Sequence, residues 1–432
     1  MSWFDRVAIA LRPWRRRLTN AFFSHFFRLV VAAISLSQWA VVWWMFASRI
    51  EHLPWLIHVA VPVVVYAGNR RLAGYLQQRR RQDAPTPLGL LPRLYYALAL
   101  TSLFCSAFLL LTGALWLSAK VCLEALTVQA WTLHAGALVD SGINTGFRWI
   151  TNAGLVLIGT VFAYGYTIGQ RRWRVSHVPL SLSGWSGALD GLRIVQISDI
   201  HIGQHLELAT LERFVERINA LCPDIICITG DIVDGPAADI EGFLPILARL
   251  RAAGGIFAIL GNHDHYAGAE RVQAALQRLT PFTVLRDEHA SIDVRGARMH
   301  IVGLDDHPRD WARGATHVSY LQAALALLPA DEPVLLLSHR PDIFRQAARA
   351  GVALTLSGHT HGGQLGFPWF RGRVRNLAEF ITRYDRGLFR LDRSFLYVNA
   401  GLGVTAQPIR LCTPREITVL ELRQEAQMHA AA

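Results

Sequence analysis

Residues 194–201 read IVQISDIH, a short, mainly apolar run that is followed by the polar residues Ser198, Asp199 and His201. A run of this length, bounded by polar residues, is typical of a strand buried in a sheet. Four later blocks have the same form, an apolar run followed at once by histidine, aspartate or asparagine. They read GDIVD at 230–234, GNHD at 261–264, SHRP at 338–341 and GHTHGGQ at 358–364.

Working outward from these blocks, apolar runs alternate with stretches that have the periodicity of amphipathic helices, as in a layered α/β domain. The predicted strands cover residues 192–198, 224–229, 255–260, 300–304, 334–338, 352–357 and 395–399. The predicted helices cover residues 208–221, 240–252, 269–279, 320–328 and 341–350. Because ligands of α/β sheets bind at the carboxyl ends of the strands, we expect the five polar blocks to meet at one sheet edge.

The polar blocks supply carboxylates, imidazoles and an amide oxygen, which suit Mn²⁺, Fe²⁺ or Zn²⁺ and differ from a soft thiolate site. Seven such groups exceed the needs of one cation, and a carboxylate shared by two cations is typical of two-metal phosphoryl transfer. The five cysteines are an odd number without a C-x-x-C pair, so neither a disulfide framework nor a cysteine zinc site is indicated.

In this order, the five blocks resemble the calcineurin-like metallophosphoesterase superfamily. The 194–201 and GHTHGGQ blocks are similar to those of membrane-associated bacterial phosphodiesterases, including forms with several N-terminal transmembrane helices. The resemblance extends over residues 172–422, including VNAGLG at 398–403 and EITVL at 416–420. It implies an α/β two-sheet sandwich and a metal-dependent phosphoesterase, a hydrolase that acts on phosphate ester bonds.

The resemblance further implies two divalent metal ions and their ligands, and it leaves the metal identity open among Mn, Fe, Zn and Mg. The ligands of one ion are Asp199, His201 and His361. The ligands of the other are Asn262, His339 and His359, and Asp231 bridges both. His359 and His361 would point the same way on extended backbone, so we expect Thr360 to face elsewhere.

His263 follows the predicted ligand Asn262 and is the expected proton donor to the leaving-group oxygen, or else a donor to the phosphoryl oxygens. Asp264 is expected to accept the other ring proton of His263 and to set its tautomer. Purple acid phosphatases have a tyrosine three residues after the bridging aspartate. This chain has Asp234 there, which argues against an Fe(III)–tyrosinate centre.

Five further residues are candidates for substrate binding. Arg340 either clamps a phosphate as a bidentate fork or forms an ion pair. Gly362 and Gly363 either let the backbone approach a phosphate or simply form a tight turn. Asp305 and Asp306 follow a predicted strand. They either contact the substrate or cap a turn.

The composition of the N-terminal part differs from that of the α/β part. The whole chain has 432 residues, of which 52% are hydrophobic and 17% charged, and a net charge of +11. Residues 1–168 carry +10 of that charge and residues 169–432 only +1. The α/β part therefore has no basic excess, and we expect no nucleic-acid partner.

Four apolar runs in the first 170 residues predict transmembrane helices at about 29–48, 53–68, 94–118 and 149–168. The second run is short and contains Pro54 and Pro62. The connections that would face one side carry fifteen basic residues, and the others carry three. This positive-inside asymmetry is consistent with four transmembrane helices and with a cytoplasmic C-terminal domain. We therefore expect a multi-pass protein of the bacterial inner membrane.

The predicted organisation is a membrane domain at 1–170, a linker and lead-in strand at 171–190, a metallophosphoesterase domain at 191–424 and a tail at 425–432. The expected function is hydrolysis of a phosphodiester or pyrophosphate bond in a lipid-like or nucleotide-linked substrate at the lipid bilayer. One alternative is a tethered phosphodiesterase for soluble nucleotides. Another is a membrane receptor or scaffold with a vestigial metal site. The sequence does not indicate an oligomeric state.

Residues 364–375 read QLGFPWFRGRVR, an aromatic cluster followed by arginines. Either this loop packs on the core or it contacts an anionic lipid surface, where aromatic and basic side chains are favoured. The second interpretation predicts that the loop admits a lipid-like phosphoester to the metals.

Overall fold

The computed structural model describes residues 3–79, 90–130, 133–182, 184–236, 238–306, 316–370 and 373–423. The chain divides into two compact units. The helical unit comprises Met1–Gln78 and Leu90–Ala163, and the α/β unit comprises Arg79–Gly89 and Tyr164–Ala432. Arg80, Arg81, Arg371 and the predicted tail at 425–432 lie outside the described residues. The domain boundaries that the sequence suggested stay predictions.

Four long helices make up most of the described part of residues 3–167. They are α1 (Trp3–Ile50), α2 (Trp55–Arg79), α3 (Leu90–Ala130) and α4 (Leu133–Thr167). Three segments are long and apolar enough to cross a membrane: His25–Ala47, Leu91–Ala125 and Asp140–Arg171. They overlap the first, third and fourth predicted transmembrane helices. The second predicted run lies in α2, a helix that contains Pro62 and is not among these three, so a count of four stays a prediction.

The described part of the α/β unit contains fourteen strands and six α-helices. The strands are β1 (Trp173–Leu180), β2 (Arg193–Ile197), β3 (Ile225–Thr229), β4 (Ile256–Ile259), β5 (Thr283–Val284), β6 (Glu288–Val294), β7 (Ala297–Gly303), β8 (Val334–Leu337), β9 (Leu354–Ser357), β10 (Gly366–Pro368), β11 (Val374–Asn376), β12 (Gly387–Leu391), β13 (Ser394–Val398) and β14 (Arg415–Leu422). The helices are α5 (Leu208–Ala220), α6 (Ile240–Leu247), α7 (Asn262–Ala267), α8 (Ala269–Leu279), α9 (Thr316–Leu325) and α10 (Phe344–Arg349).

The strands form two six-stranded sheets and one short hairpin. One sheet has the order β1-β14-β2-β3-β4-β5, the other has the order β12-β13-β9-β8-β7-β6, and β10 pairs with β11. The facing sides of the two sheets bury a common apolar layer that includes Ile194, Leu337 and Leu356. The outer face of the first sheet packs on helices such as α5, which buries Leu211, Phe214, Val215 and Ile218. This spacing is that of one helix face. The predicted two-sheet α/β architecture is confirmed.

Parallel pairing brings the predicted polar blocks to one edge. β2, β3 and β4 are parallel neighbours, and so are β7, β8 and β9. The side chain of Gln196 in β2 links the sheets because its Nε2 atom donates to the carbonyl oxygen of Ser357 in β9 at 2.9 Å. This bond lies three residues before Asp199 and at the last residue of β9. The carboxyl ends of both parallel sets therefore meet.

All seven strands predicted from apolar runs are present, and β1 lies within the predicted lead-in segment. The sequence pattern missed β5, β6, β10, β11, β12 and β14. β6 alternates between more and less exposed positions, and β14 carries Arg415, Glu416 and Glu421 among its apolar residues. A search for continuous apolar runs does not detect strands of this kind.

Candidate metal centre

The backbone has an unusual conformation at five of the seven predicted metal ligands. Asp199, His201, Asp231, His359 and His361 have φ between 49° and 69°. This left-handed region is unfavourable for residues other than glycine and is tolerated where the surrounding structure requires it, most often at functional sites. The prediction of extended backbone at His359 and His361 is therefore wrong: a left-handed turn at each residue, not a strand, directs the two rings.

One group of side chains comprises Asp199, His201 and His361, all of them buried. The Nε2 atoms of His201 and His361 lie 3.0 Å apart, and Nε2 of His361 lies 3.3 Å from Oδ1 of Asp199. Two imidazole nitrogens and a carboxylate oxygen therefore face one point. This arrangement can hold a cation that prefers mixed nitrogen and oxygen ligands.

A second group comprises Asp231, His339 and His359. Nε2 of His339 lies 3.2 Å from Oδ2 of Asp231 and 3.3 Å from Nδ1 of His359. Oδ2 of Asp231 also lies 3.6 Å from Nε2 of His201, so this carboxylate faces both groups. Among the described residues, the buried Oδ1 atom of Asn262 has no hydrogen-bond partner. An unsatisfied buried carbonyl oxygen is costly, and a cation bound to it would remove that cost.

Hydrogen bonds at the far side of two rings leave the inward nitrogens able to bind a metal. Nδ1 of His339 donates to the carbonyl oxygen of Thr229 at 2.8 Å. Nδ1 of His201 lies 3.2 Å from Oδ1 of Asp234. In a neutral ring this arrangement leaves Nε2 unprotonated, as in histidines that bind metals.

The two buried carboxylates at the centre are close enough to repel each other. Burial raises the pKa of Asp199, and the nearby charge of Asp231 adds to the rise. Buried charges are stable when they are paired or bind metals. The orphaned oxygen of Asn262, the facing imidazole nitrogens and the crowded carboxylates together fit two divalent cations.

His263 lies at the edge of this cluster, with its ring about 4.7 Å from that of His201, centroid to centroid. Its Nδ1 atom donates to the carbonyl oxygen of Asp234 at 2.9 Å and lies 3.4 Å from the carboxylate of the same residue. Burial lowers the pKa of His263, but the hydrogen bond to Asp234 and the charge of Asp231 outweigh burial and raise it to about 9.

The predicted hydrogen bond from His263 to Asp264 is wrong, because the carboxylate of Asp264 is buried and accepts three backbone N–H groups. The donors are Gly261 at 2.9 Å, Val233 at 2.8 Å and Ile232 at 3.2 Å. Asp264 therefore ties the loop after β3 to the loop after β4. The partner of Nδ1 of His263 is Asp234 and not Asp264. In the sequence, Asp234 served only as an argument against an Fe(III)–tyrosinate centre. Its position in the same loop as Asp231 was the signal that could have identified it as the partner of His263.

Arg340 belongs to the centre, and its contacts are with protein groups. Its Nε atom donates to Oδ1 of Asp306 at 2.9 Å, and its Nη1 atom lies 2.9 Å from Nε2 of His359. The ion-pair interpretation of Arg340 is therefore present in the structure, with Asp306 as the partner and Arg340 at a half-buried position. A role in binding phosphate stays a prediction.

Gly362 and Gly363 both adopt positive φ, 56° and 71°. A Cβ atom on Gly363 would lie 2.6 Å from Oδ1 of Asn376 and 2.7 Å from the backbone nitrogen of Ala378. Close packing against the chain itself therefore explains this glycine. Contact of either glycine with a phosphate stays a prediction.

Comparison with known proteins agrees with this geometry. The model of the calcineurin-like phosphoesterase family matches residues 192–363, which include all seven predicted ligands. A transmembrane protein with a metallophosphoesterase domain from Danio rerio is 28% identical, over 77% of this chain and 79% of its own. The metallophosphoesterase YkuE of Bacillus subtilis (strain 168) is 31% identical, over 63% of this chain and 93% of its own. A metallophosphoesterase of Aquifex aeolicus (strain VF5) is 31% identical, over 54% and 85%. This chain belongs to the calcineurin-like phosphoesterase family.

Proposed function

We propose that the protein is a membrane-anchored phosphoesterase that binds two divalent metal ions and hydrolyses a phosphodiester or pyrophosphate bond. The position of Asp231 carries the proposal. Its Oδ2 atom lies 3.6 Å from Nε2 of His201 and 3.2 Å from Nε2 of His339, which are inward nitrogens of two different groups. A carboxylate shared in this way is the main requirement of a two-metal centre.

The first ion would be held by Asp199, His201, His361 and Asp231. The second would be held by Asn262, His339, His359 and Asp231. When bound, two such cations neutralise phosphoryl oxygens and lower the pKa of water. The candidate metals are Mn, Fe, Zn and Mg, and the mixture of imidazole and carboxylate ligands suits Mn²⁺, Fe²⁺ or Zn²⁺ best.

His263 would act as the proton donor. In its imidazolium form, the Nδ1 proton stays bound to Asp234, and the Nε2 proton is available to the leaving-group oxygen. The nearby carboxylate of Asp234 stabilises that charged form. Asp264 contributes by holding the two loops that carry Asp231 and His263. Arg340, Gly362 and Gly363 would line the phosphate site.

The proposed topology has four transmembrane helices and a cytoplasmic catalytic domain. The predicted run 53–68 has 16 residues, which at about 1.5 Å per residue cover roughly 24 Å, and α2 continues beyond this run to Arg79. Nδ2 of Asn69 in α2 donates to Oγ of Ser35 at 2.9 Å and to Oε1 of Gln38 at 2.8 Å, both in α1. Hydrogen bonds between helices are typical of adjacent transmembrane helices. With the asymmetry of basic residues, they support α2 as the fourth transmembrane helix of an inner-membrane protein.

A lipid-like substrate is the proposed substrate class. The membrane anchor would keep the enzyme at the bilayer, and the net charge of only +1 over residues 169–432 is unsuited to a nucleic-acid polyanion. A phosphodiester or pyrophosphate in a lipid or nucleotide-lipid fits both observations.

The test uses the full-length protein in lipid nanodiscs, loaded separately with each candidate metal and assayed on phosphate monoesters, soluble phosphodiesters and lipid extracts. We expect turnover that chelation abolishes and metal restores. Asp231→Asn should be inactive, whereas Asp293→Asn, at an exposed position on β6, should match the wild type. A metal-loaded protein that hydrolyses none of these esters would contradict the proposal and support a receptor or scaffold.

A further inference from the structure

An exposed apolar surface lies on residues 366–370 and 373–381, which we call the hairpin surface. It consists of the β10–β11 hairpin and the 3-10 turn Leu377–Phe380 that follows β11. The exposed fractions are 82% for Phe370, 83% for Phe380 and 89% for Ile381, and Trp369 is also exposed. Large apolar side chains that face solvent at consecutive positions, as at Trp369–Phe370 and Phe380–Ile381, are typical of interaction sites.

The segment that carries the hairpin surface is strongly basic. Residues 364–393 contain seven arginines and three aspartates or glutamates, a net charge of +4, whereas residues 169–432 as a whole carry only +1. Arg373 and Arg383 are exposed, and Arg375 pairs with Glu379. Aromatic and aliphatic side chains flanked by arginines suit the headgroup region of an anionic lipid leaflet.

The base of the hairpin shares a contact segment with the end of α4. Gly165, in the last turn of that helix, packs against Ile409 and Leu411 so closely that a Cβ atom would lie 2.8 Å from Cδ2 of Leu411. The backbone nitrogen of Gly366, at the start of β10, donates to the carbonyl oxygen of Leu411 at 2.8 Å. A helix that crosses a membrane and ends at Thr167 leaves the next residues near the membrane surface. The base of the hairpin and the last turn of α4 contact the same segment, residues 409–411.

The same hairpin also adjoins the candidate metal centre. Asn376 in β11 packs against Gly363, and its Nδ2 atom donates to the carboxylate of Asp385 at 2.6 Å. Oγ1 of Thr360, between His359 and His361, donates to the carbonyl oxygen of Asp385. One continuous set of contacts thus links the hairpin surface to the loop of the two histidines.

We propose that the hairpin surface contacts the anionic leaflet of the bilayer, with Phe370, Phe380 and Ile381 inserted among the lipids and the arginines at the headgroups. This inference rests on the membrane anchoring of the proposed function and not on the chemistry of its metal centre. It adds a second contact with the membrane, from the α/β unit.

The test places one spin label at a time on the full-length protein, in which the exposed Cys122, Cys222 and Cys412 are replaced by serine. Labels at Phe370→Cys, Phe380→Cys and Ile381→Cys are compared in nanodiscs of anionic phospholipid by collision with oxygen and with a water-soluble nickel chelate. We expect high oxygen and low nickel accessibility at all three, the signature of lipid immersion. Leu327→Cys is the matched control, because Leu327 is 74% exposed outside the hairpin surface. Its label should stay accessible to nickel.

A label at Leu110→Cys, in α3, distinguishes failure of the proposed membrane anchoring from failure of the hairpin inference. If the Leu110 label is not in lipid, the membrane anchoring itself fails. If it is in lipid while the three hairpin labels behave like the Leu327 label, the hairpin inference is overturned and the anchoring stands. Loss of both oxygen and nickel accessibility at the hairpin would also overturn it, because a protein contact, such as a second copy of this chain, shields from both probes.

Arginine variants test the charge part of the inference with the same labels. Arg373→Gln combined with Arg383→Gln should lower the ratio of inserted to exposed hairpin about thirtyfold in anionic nanodiscs. The pair Arg251→Gln and Arg298→Gln, exposed but distant in sequence, should leave it unchanged. An equal effect of the hairpin pair in zwitterionic nanodiscs would contradict a headgroup contact.

Discussion

Nδ1 of His263 lies 2.9 Å from the carbonyl oxygen of Asp234 and 3.4 Å from its carboxylate. The same carboxylate lies 3.2 Å from Nδ1 of His201. Asp234 thus orients two rings that we assign to different tasks, one as a metal ligand and one as a proton donor. Because it acts through those rings, it is a positioning residue.

Asp234→Ala should remove the carboxylate that orients His201 and the negative charge beside His263, while the hydrogen bond from His263 to the backbone carbonyl of residue 234 remains. Loss of a carboxylate that orients a metal-bound histidine lowers metal affinity or activity about 10- to 100-fold. We expect lower occupancy of the metal at His201 and a steeper dependence of turnover on leaving-group pKa, because leaving groups of high pKa depend most on a proton donor. Elemental analysis and a series of aryl phosphodiesters measure the two effects. Asp293→Ala is the exposed control. Full metal content together with an unchanged leaving-group dependence would refute the assignment.

The bridging role of Asp231 predicts a different metal loss from that of Asn262. Asp231→Asn removes the charge that faces both groups, so both metals should be lost. Asn262→Ala removes one oxygen ligand and should mainly deplete one metal. Turnover should fall by about two to three orders of magnitude in each case. Retention of two metals and normal turnover in Asp231→Asn would invalidate the bridging assignment.

Gly358 leaves room for the first carboxylate. A Cβ atom there would lie 1.9 Å from Oγ of Ser198 and 2.3 Å from Oδ2 of Asp199. Gly358→Ala should therefore displace Asp199, destabilise the fold by about 1–3 kcal/mol and reduce metal binding. Gly235→Ala is the control, since no atom lies within 4 Å of its added methyl group. Thermal unfolding and metal content measure the two effects, and equal behaviour of both variants would contradict the packing argument.

The four-helix topology predicts on which side of the membrane the C-terminus and the region near Gly136 lie. A reporter fused after Ala432 should report the cytoplasm, and one inserted near Gly136 should report the opposite side. A C-terminal reporter that is active outside would mean that α2 does not cross, and that the substrate lies in the cell envelope.

If the hairpin surface contacts the bilayer, changes to it should affect turnover of membrane-embedded and of soluble substrates differently. Phe380→Ser combined with Ile381→Ser should lower turnover of a phosphodiester embedded in a bilayer and leave a small soluble phosphodiester unaffected, because these side chains lie outside the metal centre. Kinetics on both substrates, with Leu327→Ser as control, measure the effect. Equal losses on both substrates would indicate a structural role for the two residues.

The sequence was informative where a pattern depends on neighbouring residues alone. Apolar runs followed by polar blocks located β2, β3, β4, β8 and β9, because a buried strand needs continuous apolar residues and its end can carry functional groups. The order of the blocks indicated the family and the seven candidate ligands. Long uncharged apolar runs predicted membrane-spanning helices. At three of them the structure contains a helical segment that is long and apolar enough to cross a membrane.

Tertiary structure decided what depends on residues far apart in the chain. Asp234 and His263 are 29 positions apart, and only the parallel pairing of β3 with β4 brings their loops together. The same pairing places the N–H groups of Ile232 and Val233 at the carboxylate of Asp264, whose third donor, Gly261, lies in its own loop. The left-handed backbone at His359 and His361 likewise follows from the packing around the loop, which local sequence does not encode. Hydrogen-bond partners and strained backbone are properties of the assembled loops, whereas strands and ligand types are properties of the chain itself.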